Sequence, residues 1–408
     1  MQKRPTLNSG ISLIALAGLL SACGGGGGDG APVSQTAGTL RVSMTDAPAC
    51  GYDAVNVTVS KVRIHQSSNA AENDSGWTDI TLSPARKINL LNLTNGVLEE
   101  LGQAALPAGR YTQLRLVLDT NAGAAGARPA NSVVPSTTGT EVALETPSAA
   151  QSGIKLTGNF DVASGQLADV VLDFDACKSV VRKGNGAYAL KPVVSVIPAV
   201  LNGIRGVIDP ATLGSGTMVT AQQNGVIIRS TVPNASTGEF YLARMEPGSY
   251  DVVLTSDARA AAVIAAVPVA SATSTVAVST STAPIKLVTA ATPPGSISGT
   301  VTLTPASATE NAYVAARQSF ANGPTVTIKY QGAEVATGVY SLANLPTVPP
   351  LLGRYDATQP VTLTAQTNTV PGTGRYAVEA GANGYAPQTS ASVDISTASR
   401  TGVDFSLK

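Results

Sequence analysis

The sequence has few ionisable and few aromatic side chains. Of its 408 residues, 13% are charged and 4% aromatic, and 26 basic residues balance 26 acidic ones, so the formal net charge is zero. Because no basic excess neutralises phosphates, this composition argues against a nucleic-acid partner. His65 is the only histidine, which removes most general-base, nucleophile-relay and multi-histidine metal schemes of hydrolases. We assign His65 no chemistry, and we expect neither an enzyme nor a cofactor.

Long apolar runs are also scarce, and the one near the amino end is short. Residues 11–20 form it, and the basic pair Lys3 and Arg4 precedes it. A membrane-spanning helix needs about 20 apolar residues. A charged start, a short apolar stretch and small residues behind it are typical of a secretory signal instead.

The end of this signal carries a specific pattern, Leu20-Ser21-Ala22-Cys23. It resembles a bacterial lipobox, which implies that residues 1–22 are removed and that Cys23 is acylated and anchors the protein to a membrane. The glycine-rich stretch 23–37 is then expected to be a flexible tether. Gly24 stands where inner-membrane retention signals usually carry Asp, so the resemblance implies the outer membrane, with the protein facing the periplasm or the cell surface. The alternative is an unmodified Cys23 near an ordinary cleavage site.

Two further cysteines, Cys50 and Cys177, remain after processing. Thiols oxidise outside the cytosol, so we expect these two to form a disulfide. Such a bridge stabilises by about 3 to 5 kcal/mol in the chain-entropy model. Two buried free thiols are the alternative.

Apolar residues alternate at period two along most of the chain, which predicts an all-β fold. Val55, Val57 and Val59 alternate with polar residues, and the pattern then continues with opposite parity at Val62 and Ile64. A phase slip of one residue predicts a β-bulge. A leucine-rich stretch at 89–101 predicts one short helical turn.

Three segments share a Pro/Gly turn that leads into a tyrosine-led strand, at 107–111, 247–250 and 371–376. The turn residues favour tight reversals, and we expect each tyrosine ring to pack while its hydroxyl stays hydrated. Residues 238–242 are expected to form a hairpin with the second of these strands. Residues 338–342 open a similar strand, followed by a proline-rich insertion near 345–370.

These patterns predict three tandem β-sandwich-like modules of immunoglobulin or transthyretin type. Turn clusters place their boundaries at 38–199, 203–290 and 294–408. The stretch 260–288, rich in Thr, Ala and Ser, is either a disordered linker or the last strands of the middle module. Its recurring valines favour strands.

The first module resembles the DUF4382 family, a lipoprotein domain of unknown function. The matching residues are spread from Gly38 to about Pro198 and include Thr45-Asp46-Ala47-Pro48, Asn89-Leu90-Leu91, Asn95-Gly96, Leu106-Pro107-Ala108-Gly109-Arg110-Tyr111 and Leu190-Lys191-Pro192-Val193. The resemblance implies a fold and a location, but no activity.

The middle module is similar to the carboxypeptidase regulatory-like, or CnaB-like, β-sandwich, on the residues Gly203-Ile204-Arg205-Gly206-Val207-Ile208, Ser236-Thr237-Gly238-Glu239-Phe240 and Pro247-Gly248-Ser249-Tyr250. The last module begins in a similar way at Gly295. The resemblance implies a stalk or binding role, and related sandwiches are grouped with carbohydrate-binding folds. Some CnaB-like modules contain an isopeptide bond between a lysine and an asparagine, for which Lys286, Lys329 and the acidic Glu379 are weak candidates.

The sequence offers two candidate binding sites, an acidic pair and a single tryptophan. Asp173 and Asp175 lie two apart on one predicted strand, so both carboxylates share a face and offer a weak calcium site with Asp46 or Asp119. The alternative is a pair of solvent-face acids.

Trp77 is the only tryptophan and follows a polar loop. It is a weak candidate for stacking on a sugar ring. We favour instead an anchor for the next strand in the core.

The leading hypothesis for function is a non-enzymatic, lipid-anchored envelope protein with a structural, adhesive or binding role. Its partners are the membrane, through Cys23, and an unidentified protein or glycan. A carbohydrate-binding lipoprotein is the alternative, although few aromatic residues are available for it. A fimbrial or pilus anchor is a second alternative.

The disulfide prediction is tested by titrating thiols in the mature, unreduced and unfolded protein. We expect no reactive thiol from Cys50 or Cys177, and reactivity of both only after reduction. Two reactive thiols before reduction would exclude the bridge.

Overall fold

Strands account for 55% of the residues and helices for 3% in the computed structural model, which confirms the all-β, sandwich-like prediction. The structure describes residues 37–47, 51–121, 128–146, 149, 151–199, 202–307, 310–359 and 361–408. The expected signal segment, Cys23, most of the tether and Cys50 lie outside the described residues. Within the described part, no helix has the length and apolar character that a membrane crossing requires.

The first sandwich comprises two sheets. Its strands are β1 (Gly38–Ala47), β2 (Tyr52–His65), β3 (Thr78–Asn89), β4 (Glu99–Leu106), β5 (Gly109–Leu118), β6 (Ser132–Pro135), β7 (Val142–Glu145), β8 (Ile154–Val162), β9 (Leu167–Asp175), β10 (Val180–Arg182), β11 (Tyr188–Leu190) and β12 (Val194–Pro198). One sheet has the order β12-β9-β1-β4, and the other has the order β10-β11-β7-β6-β2-β5-β8, with β3 also paired to β2. A 3₁₀ helix at Leu90–Leu93 and the one-turn helix α1 at Ala176–Ser179 connect strands.

The second sandwich follows at residue 203. Its strands are β13 (Gly203–Val207), β14 (Met218–Gln223), β15 (Val226–Thr231), β16 (Glu239–Ala243), β17 (Gly248–Thr255), β18 (Ala262–Val269) and β19 (Thr275–Ala277), and a short 3₁₀ helix lies at Pro210–Thr212. Strands β18 and β19 lie within 260–288, so that stretch forms strands rather than a linker.

The third sandwich follows at residue 295. Its strands are β20 (Gly295–Leu303), β21 (Tyr313–Phe320), β22 (Thr325–Gly332), β23 (Val339–Leu345), β24 (Leu351–Arg354), β25 (Thr364–Ala365), β26 (Thr369–Val370), β27 (Arg375–Gly381), β28 (Gln388–Asp394) and β29 (Phe405–Leu407). The sheet orders in this half of the protein are β16-β13-β19, β15-β14-β17-β18-β24-β25, β23-β20-β29 and β22-β21-β27-β28, with β26 also paired to β21.

Each sandwich has its own hydrophobic core, to which both of its sheets contribute. Each core contains fully buried residues from both sheets. Examples are Leu40 and Val57 in the first sandwich, Ile204 and Val252 in the second, and Ile297 and Val314 in the third. Alternation at period two explains this arrangement, because every second side chain of a strand points to the same face.

The predicted bulge in β2 is confirmed. The pairing of β2 with β3 and with β5 shifts register between Val59 and Lys61. Val55, Val57 and Val59 before the shift, and the two apolar residues after it, are all fully buried. The extra residue therefore keeps both halves of a 14-residue strand facing one core. The predicted helical turn is also present, as the 3₁₀ helix that Asn89 caps with its side chain.

The tyrosine hydroxyls of the three turn-led strands donate to carbonyls, so the expectation of hydrated hydroxyls is wrong. Tyr111 donates to Pro107 O at 2.9 Å, and Tyr250 donates to Glu246 O at 2.7 Å. Tyr376 donates to Pro346 O at 2.6 Å. The rings are almost completely buried, and a buried hydroxyl needs a partner. In the first two cases that partner is the carbonyl four residues back, across the turn, as in the tyrosine corner of immunoglobulin folds.

The expected hairpin between residues 238–242 and the following strand does not form. Strand β16 pairs with β13, whereas β17 pairs with β14 and β18 in the other sheet of the second sandwich. The intervening residues cross from one sheet to the other, and the buried side chain of Asn202 bonds both Met245 N and Met245 O there. The crossing lets Phe240 and Tyr250 enter one core from opposite sides.

The insertion near 345–370 contributes strands to the second sandwich. Strand β24 runs parallel to β18, with Ala262 opposite Leu351 and Ala265 opposite Arg354. Strand β25 then pairs with β24 at the edge of the same sheet. Leu351 is buried in the core of the second sandwich, which is therefore completed by a segment that follows β23 in the chain.

The second and third sandwiches share one turn, built on a glycine. In the second sandwich, Gly238 N donates to Asn234 O, and Gly238 O accepts from Ile208 N. In the third sandwich, Gly338 N donates to Glu334 O, and Gly338 O accepts from Val301 N. Both glycines have positive φ, and a Cβ at either would overlap a backbone carbonyl of the neighbouring strand. The position thus requires glycine for its conformation and for close approach.

We expect replacement of this glycine to lower the free energy of unfolding by more than its left-handed conformation alone explains. Gly238→Ala combines a left-handed alanine, at about 1 to 2 kcal/mol, with displacement of the Ile208 carbonyl, at about 1 to 3 kcal/mol. Gly402→Ala is the matched control, because Gly402 also has positive φ but has open space around its Cβ position. Urea unfolding should show the larger loss for Gly238→Ala, and equal losses would contradict the overlap.

Candidate functional site

The carboxylates of Asp173 and Asp175 lie at the end of β9, where the first sandwich meets the others. Asp173 Oδ2 is 3.0 Å from Arg229 Nη1 of the second sandwich, and its side chain is 14% exposed. Burial raises the pKa of Asp173, and the positive charge of Arg229 opposes that rise. Asp175 caps α1 through a bond from Lys178 N and also pairs with Lys178 Nζ at 3.0 Å.

These contacts bear on both sequence-based interpretations of the pair. Asp173 is not a solvent-face acid, because it faces another sandwich. Asp46 is buried and accepts a bond from Ala176 N, while Asp119 accepts one from Thr120 N. Among the described residues, no group of three or more His, Cys, Asp or Glu side chains is arranged to hold a metal ion. The calcium hypothesis therefore gains no support from this geometry.

A loop after the first 3₁₀ helix inserts Asn95 into the second sandwich. Its Oδ1 accepts bonds from Thr231 Oγ1 at 2.6 Å and Tyr241 N at 3.1 Å, and its Nδ2 donates to Val232 O at 2.8 Å. Asn95 has positive φ, which asparagine tolerates better than most residues. One amide thus bonds residues of β15 and β16 at once. In the sequence, Asn95 and Gly96 stand out only as part of a family resemblance.

The junction between the second and third sandwiches has a buried polar pair. Gln222 on β14 is fully buried, donates through Nε2 to Thr327 O at 2.8 Å and accepts from Thr327 N through Oε1, also at 2.8 Å. Thr327 Oγ1 donates to Gly225 O at 2.7 Å. Apolar contacts also join these two sandwiches, since Val253 and Val263 of the second sandwich pack into the core of the third.

The first and third sandwiches also touch. Tyr313 OH donates to Lys178 O at 2.6 Å, and burial raises the pKa of Tyr313 to about 12. Lys191 Nζ lies 2.8 Å from Glu310 Oε2. Each sandwich therefore contacts both of the others.

Trp77 does not anchor the following strand in the core, which corrects that expectation. The ring is half-buried and lies outside the hydrophobic core of the first sandwich. The guanidinium carbons of Arg63 and Arg115 are 4.7 and 5.0 Å from its centroid, and the His65 ring is 5.0 Å away. Trp77 Nε1 donates to Ala71 O. The indole thus bonds the polar loop 66–76 through Nε1 and makes cation–π contacts with two arginines of neighbouring strands, and those cations already occupy space that a stacked sugar would need.

An open groove of about 620 Å³ lies on the first sandwich, and its lining includes both polar and apolar side chains. Lys87 Nζ and Glu141 Oε1 are 3.0 Å apart in it, and Ser132 also donates to Glu141. These two bonds, that of Ser132 first, lower the pKa of Glu141. The groove offers hydrogen-bond partners to a sugar, but its described lining includes no aromatic ring.

The isopeptide candidates are not brought together as a reactive group. Glu379 Oε2 is 2.8 Å from Arg317 Nη1, so its carboxylate is paired with a guanidinium. Lys286 is exposed on the second sandwich, whereas Lys329 lies on β22 of the third. Lys286 and Glu379 lie on different sandwiches and cannot serve one bond inside either core, and on the third sandwich the ion-pair partner of Glu379 is Arg317.

The backbone register bears on the predicted disulfide. Strands β1 and β9 run parallel, with Ala47 opposite Asp175. Cys177 follows Asp175 by two residues on α1, and Cys50 would follow Ala47 by three. Because Cys50 lies outside the described residues, the bridge stays a prediction.

Comparison with known proteins identifies the class of the first sandwich. Residues 37–192 match the model of a family described as a domain of unknown function, DUF4382, which confirms that resemblance. No curated protein matches the chain. The resemblance of the second and third sandwiches to carboxypeptidase regulatory-like modules stays a prediction.

Three solved structures illustrate the remaining similarities. They are the TIE protein of Bacillus anthracis (11% identity, 91% of this chain and 50% of that chain, TM-score 0.17), the major pilin SpaA of Corynebacterium diphtheriae (12%, 91% and 100%, 0.19) and BcpA, the major pilin subunit of Bacillus cereus (12%, 91% and 99%, 0.14). The chain spans half the length of the first of them. At these TM-scores the matches carry no argument about arrangement or function.

The polar pair between the second and third sandwiches yields a direct test. Gln222→Ala leaves the buried Thr327 N–H and C=O without their side-chain partner, so we expect a loss of about 2 to 3 kcal/mol in the free energy of unfolding. Gln223→Ala is the matched control, because Gln223 is a more exposed neighbour with one bond to Ser249 O. Its effect should stay within about 0.5 kcal/mol. Equal effects of the two substitutions in urea unfolding would contradict the role of the pair.

Proposed function

We propose that this chain is a non-enzymatic, lipid-anchored protein of the bacterial cell envelope with a structural, adhesive or binding role. The observation that carries the proposal is the set of three junctions through which each sandwich contacts both others. Arg229 and Asp173 join the first sandwich to the second, and Gln222 and Thr327 join the second to the third. Tyr313 joins the third to the first.

This arrangement suits a protein that holds a partner better than an enzyme that turns over a substrate. Domains joined only by linkers or small polar interfaces move relative to one another. Here the second sandwich takes β24 from the following segment, and its apolar residues Val253 and Val263 pack into the next core. Many enzymes rely on lids or domains that close over substrate. A body fixed at all three junctions instead keeps its outer surfaces at constant distances and angles to one another. A partner or an envelope lattice can bind to such a rigid surface.

The anchor belongs to this proposal as the second component. Residues 1–22 act as the signal, Cys23 carries the acyl chains in the outer membrane, and residues 23–37 connect the anchor to the body. The membrane is then the first partner, and a protein or glycan is the second. The register of β1 and β9 supports a Cys50–Cys177 bridge close to the point where the first sandwich meets the third.

The carbohydrate-binding alternative rests on the open groove with Lys87 and Glu141. Sugar sites commonly add an aromatic platform to such hydrogen-bond partners. The described lining lacks one, and Trp77 is already engaged by Arg63 and Arg115. The structural role is therefore preferred, and a pilus or fimbrial anchor differs from it only in the partner.

Anchoring is tested by metabolic labelling with an alkyne-bearing palmitate in a Gram-negative host. We expect label on the wild-type protein and its recovery with outer membranes, because the lipobox cysteine is the acyl acceptor. Cys23→Ser should carry no label and leave the membrane fraction. Cys177→Ser is the control and should keep the label. Label that persists on Cys23→Ser, or a wild-type protein that stays in the soluble fraction, would refute the anchor.

The role of the body is tested separately on the same cells. Protease treatment of intact cells distinguishes a surface position from a periplasmic one, and cross-linking in place identifies envelope partners. A structural or adhesive role predicts stable cross-links to a defined envelope component. An enzyme that does not bind an envelope component would give no such cross-links. Their absence would count against the proposal.

A further inference from the structure

An open cleft of about 390 Å³ lies at the edge of the contact between the second and third sandwiches. It is lined by strands β17, β18 and β24 of one sheet, by Asn322 and Pro324 of the β21–β22 turn, and by Gln366 after β25. Asp251 and Arg354 are the charged residues of this described lining. Pockets for small organic ligands have volumes of about 300 to 1,000 Å³, so a small molecule can enter the cleft.

The strand register places both charged residues in one row across the floor of the cleft. The neighbouring row on β17, β18 and β24 packs toward the third sandwich and consists of Val253, Val263 and Leu352. Side chains two positions further along a strand lie on the same face of the sheet. On these three strands, those positions are Asp251, Ala265 and Arg354.

The two charges therefore lie on either side of a small residue. Arg354 is opposite Ala265 in the register, and Asp251 lies across β18 from Arg354. Neighbouring strands are about 4.8 Å apart, so the backbones of Asp251 and Arg354 are separated by about 10 Å. Within the described chain, neither of these two side chains forms an ion pair. The floor of the cleft thus has an unpaired carboxylate at one side and an unpaired guanidinium at the other.

A bulge in β18 fixes the carboxylate of Asp251. The pairing of β17 with β18 shifts register between Tyr250 and Val252, and Ala266 has a φ of 59°, which is unfavourable for alanine. Asp251 Oδ1 accepts a bond from Ala266 N at 3.1 Å, whereas Oδ2 has no hydrogen-bond partner among the described residues. Burial raises the pKa of Asp251, and the bond from Ala266 N opposes that rise. Bulges of this kind redirect side chains next to binding sites.

The arrangement of these charges favours a ligand that carries both signs. A simple anion would be repelled by Asp251, and a simple cation would be repelled by Arg354. A zwitterion can place an ammonium group at Asp251 Oδ2 and a carboxylate at the guanidinium, and it makes charge-assisted hydrogen bonds at both ends. The side chain of Asn322 makes no hydrogen bond within the described chain, so its amide is available to the polar atoms between the two charges.

We propose that this cleft binds a zwitterionic ligand of amino-acid size, with its ammonium group at Asp251 and its carboxylate at Arg354. Free amino acids and short peptides share these two groups and differ in the distance between them. The inference goes beyond the proposed function, because it holds whether or not the chain is anchored to a membrane. A bound ligand would connect β17 to β24, the strand that the following segment contributes to the second sandwich.

The experiment is isothermal titration calorimetry of the full mature protein with glycine, β-alanine and glycylglycine. Ethylammonium and acetate are the singly charged controls. We expect at least one zwitterion to bind at least about tenfold more tightly than either control, because only a zwitterion makes both charge-assisted contacts. Tightest binding of glycylglycine would identify a peptide as the ligand, and tightest binding of glycine or β-alanine would identify a free amino acid.

Two variants test the assigned groups. Asp251→Asn retains an oxygen that accepts from Ala266 N but removes the charge, and Arg354→Gln removes the guanidinium from an exposed position. Each should weaken zwitterion binding at least about tenfold. Asp356→Asn and Arg205→Gln are the matched controls at exposed residues outside the lining of the cleft, and both should bind as the wild type does.

Zwitterions that bind no more tightly than ethylammonium and acetate would overturn the proposal. Wild-type affinity in Asp251→Asn or in Arg354→Gln would also overturn it. If Asp251→Asn fails to fold, Arg354→Gln decides the matter, because the side chain of Arg354 makes no hydrogen bond or ion pair within the described chain that the fold would lose.

Discussion

The parallel pairing of β18 with β24 is the contact on which the rest of the molecule depends. Without it, β18 would be an edge strand of the second sandwich and would expose the backbone of a largely apolar segment, Ala262–Val269. Unpaired edges of this kind recruit other strands and lead to aggregation. Leu351 N donates to Ala261 O and Tyr355 N donates to Ala265 O, so the covering segment is held at both ends. The second sandwich is therefore incomplete without residues that follow β23.

Buried polar pairs then define how the sandwiches meet. Apolar contact between Val253, Val263 and the third core provides attraction but tolerates small sliding movements, because the hydrophobic effect has no direction. The two bonds between Gln222 and Thr327 exist in only one register. Asn95 acts in the same way at the other junction, since a shift by one residue would leave its amide buried and unpaired. Specificity of arrangement, more than added stability, is what these groups contribute.

The sequence predicted features that depend on neighbours along the chain. The phase change between Val59 and Val62 could be recognised as a bulge, and Asn89 before three leucines as a short helical turn, because both signals lie within a few residues. It did not predict which sheet a strand joins. Strand β16 alternates as a hairpin strand would, and only the common core shows that β17 belongs to the opposite sheet.

Long-range polar contacts were equally hidden from sequence reasoning. Gln222 and Thr327 are 105 residues apart and each looks like an ordinary polar residue of a strand. The sequence predicts either a weak calcium site or a solvent-face acid at Asp173, whereas its partner, Arg229, lies on another sandwich. Trp77 was judged by its hydrophobicity, whereas the two arginines that face it decide its position. Periodicity reports the face on which a side chain lies, and it carries no information on what covers that face.

The closed set of junctions has a consequence for reach. Three sandwiches in series would extend a binding surface by their summed lengths, but contact between Tyr313 and Lys178 brings the third sandwich back to the first. The distance from the membrane is then determined by the proposed tether of about 15 residues. A flexible glycine-rich chain of that length has an average span of about 20 Å and a limit of about 50 Å. In the proposed anchored protein, a tether of this length would keep the body near the bilayer, which favours partners at the membrane surface over partners across a wide gap.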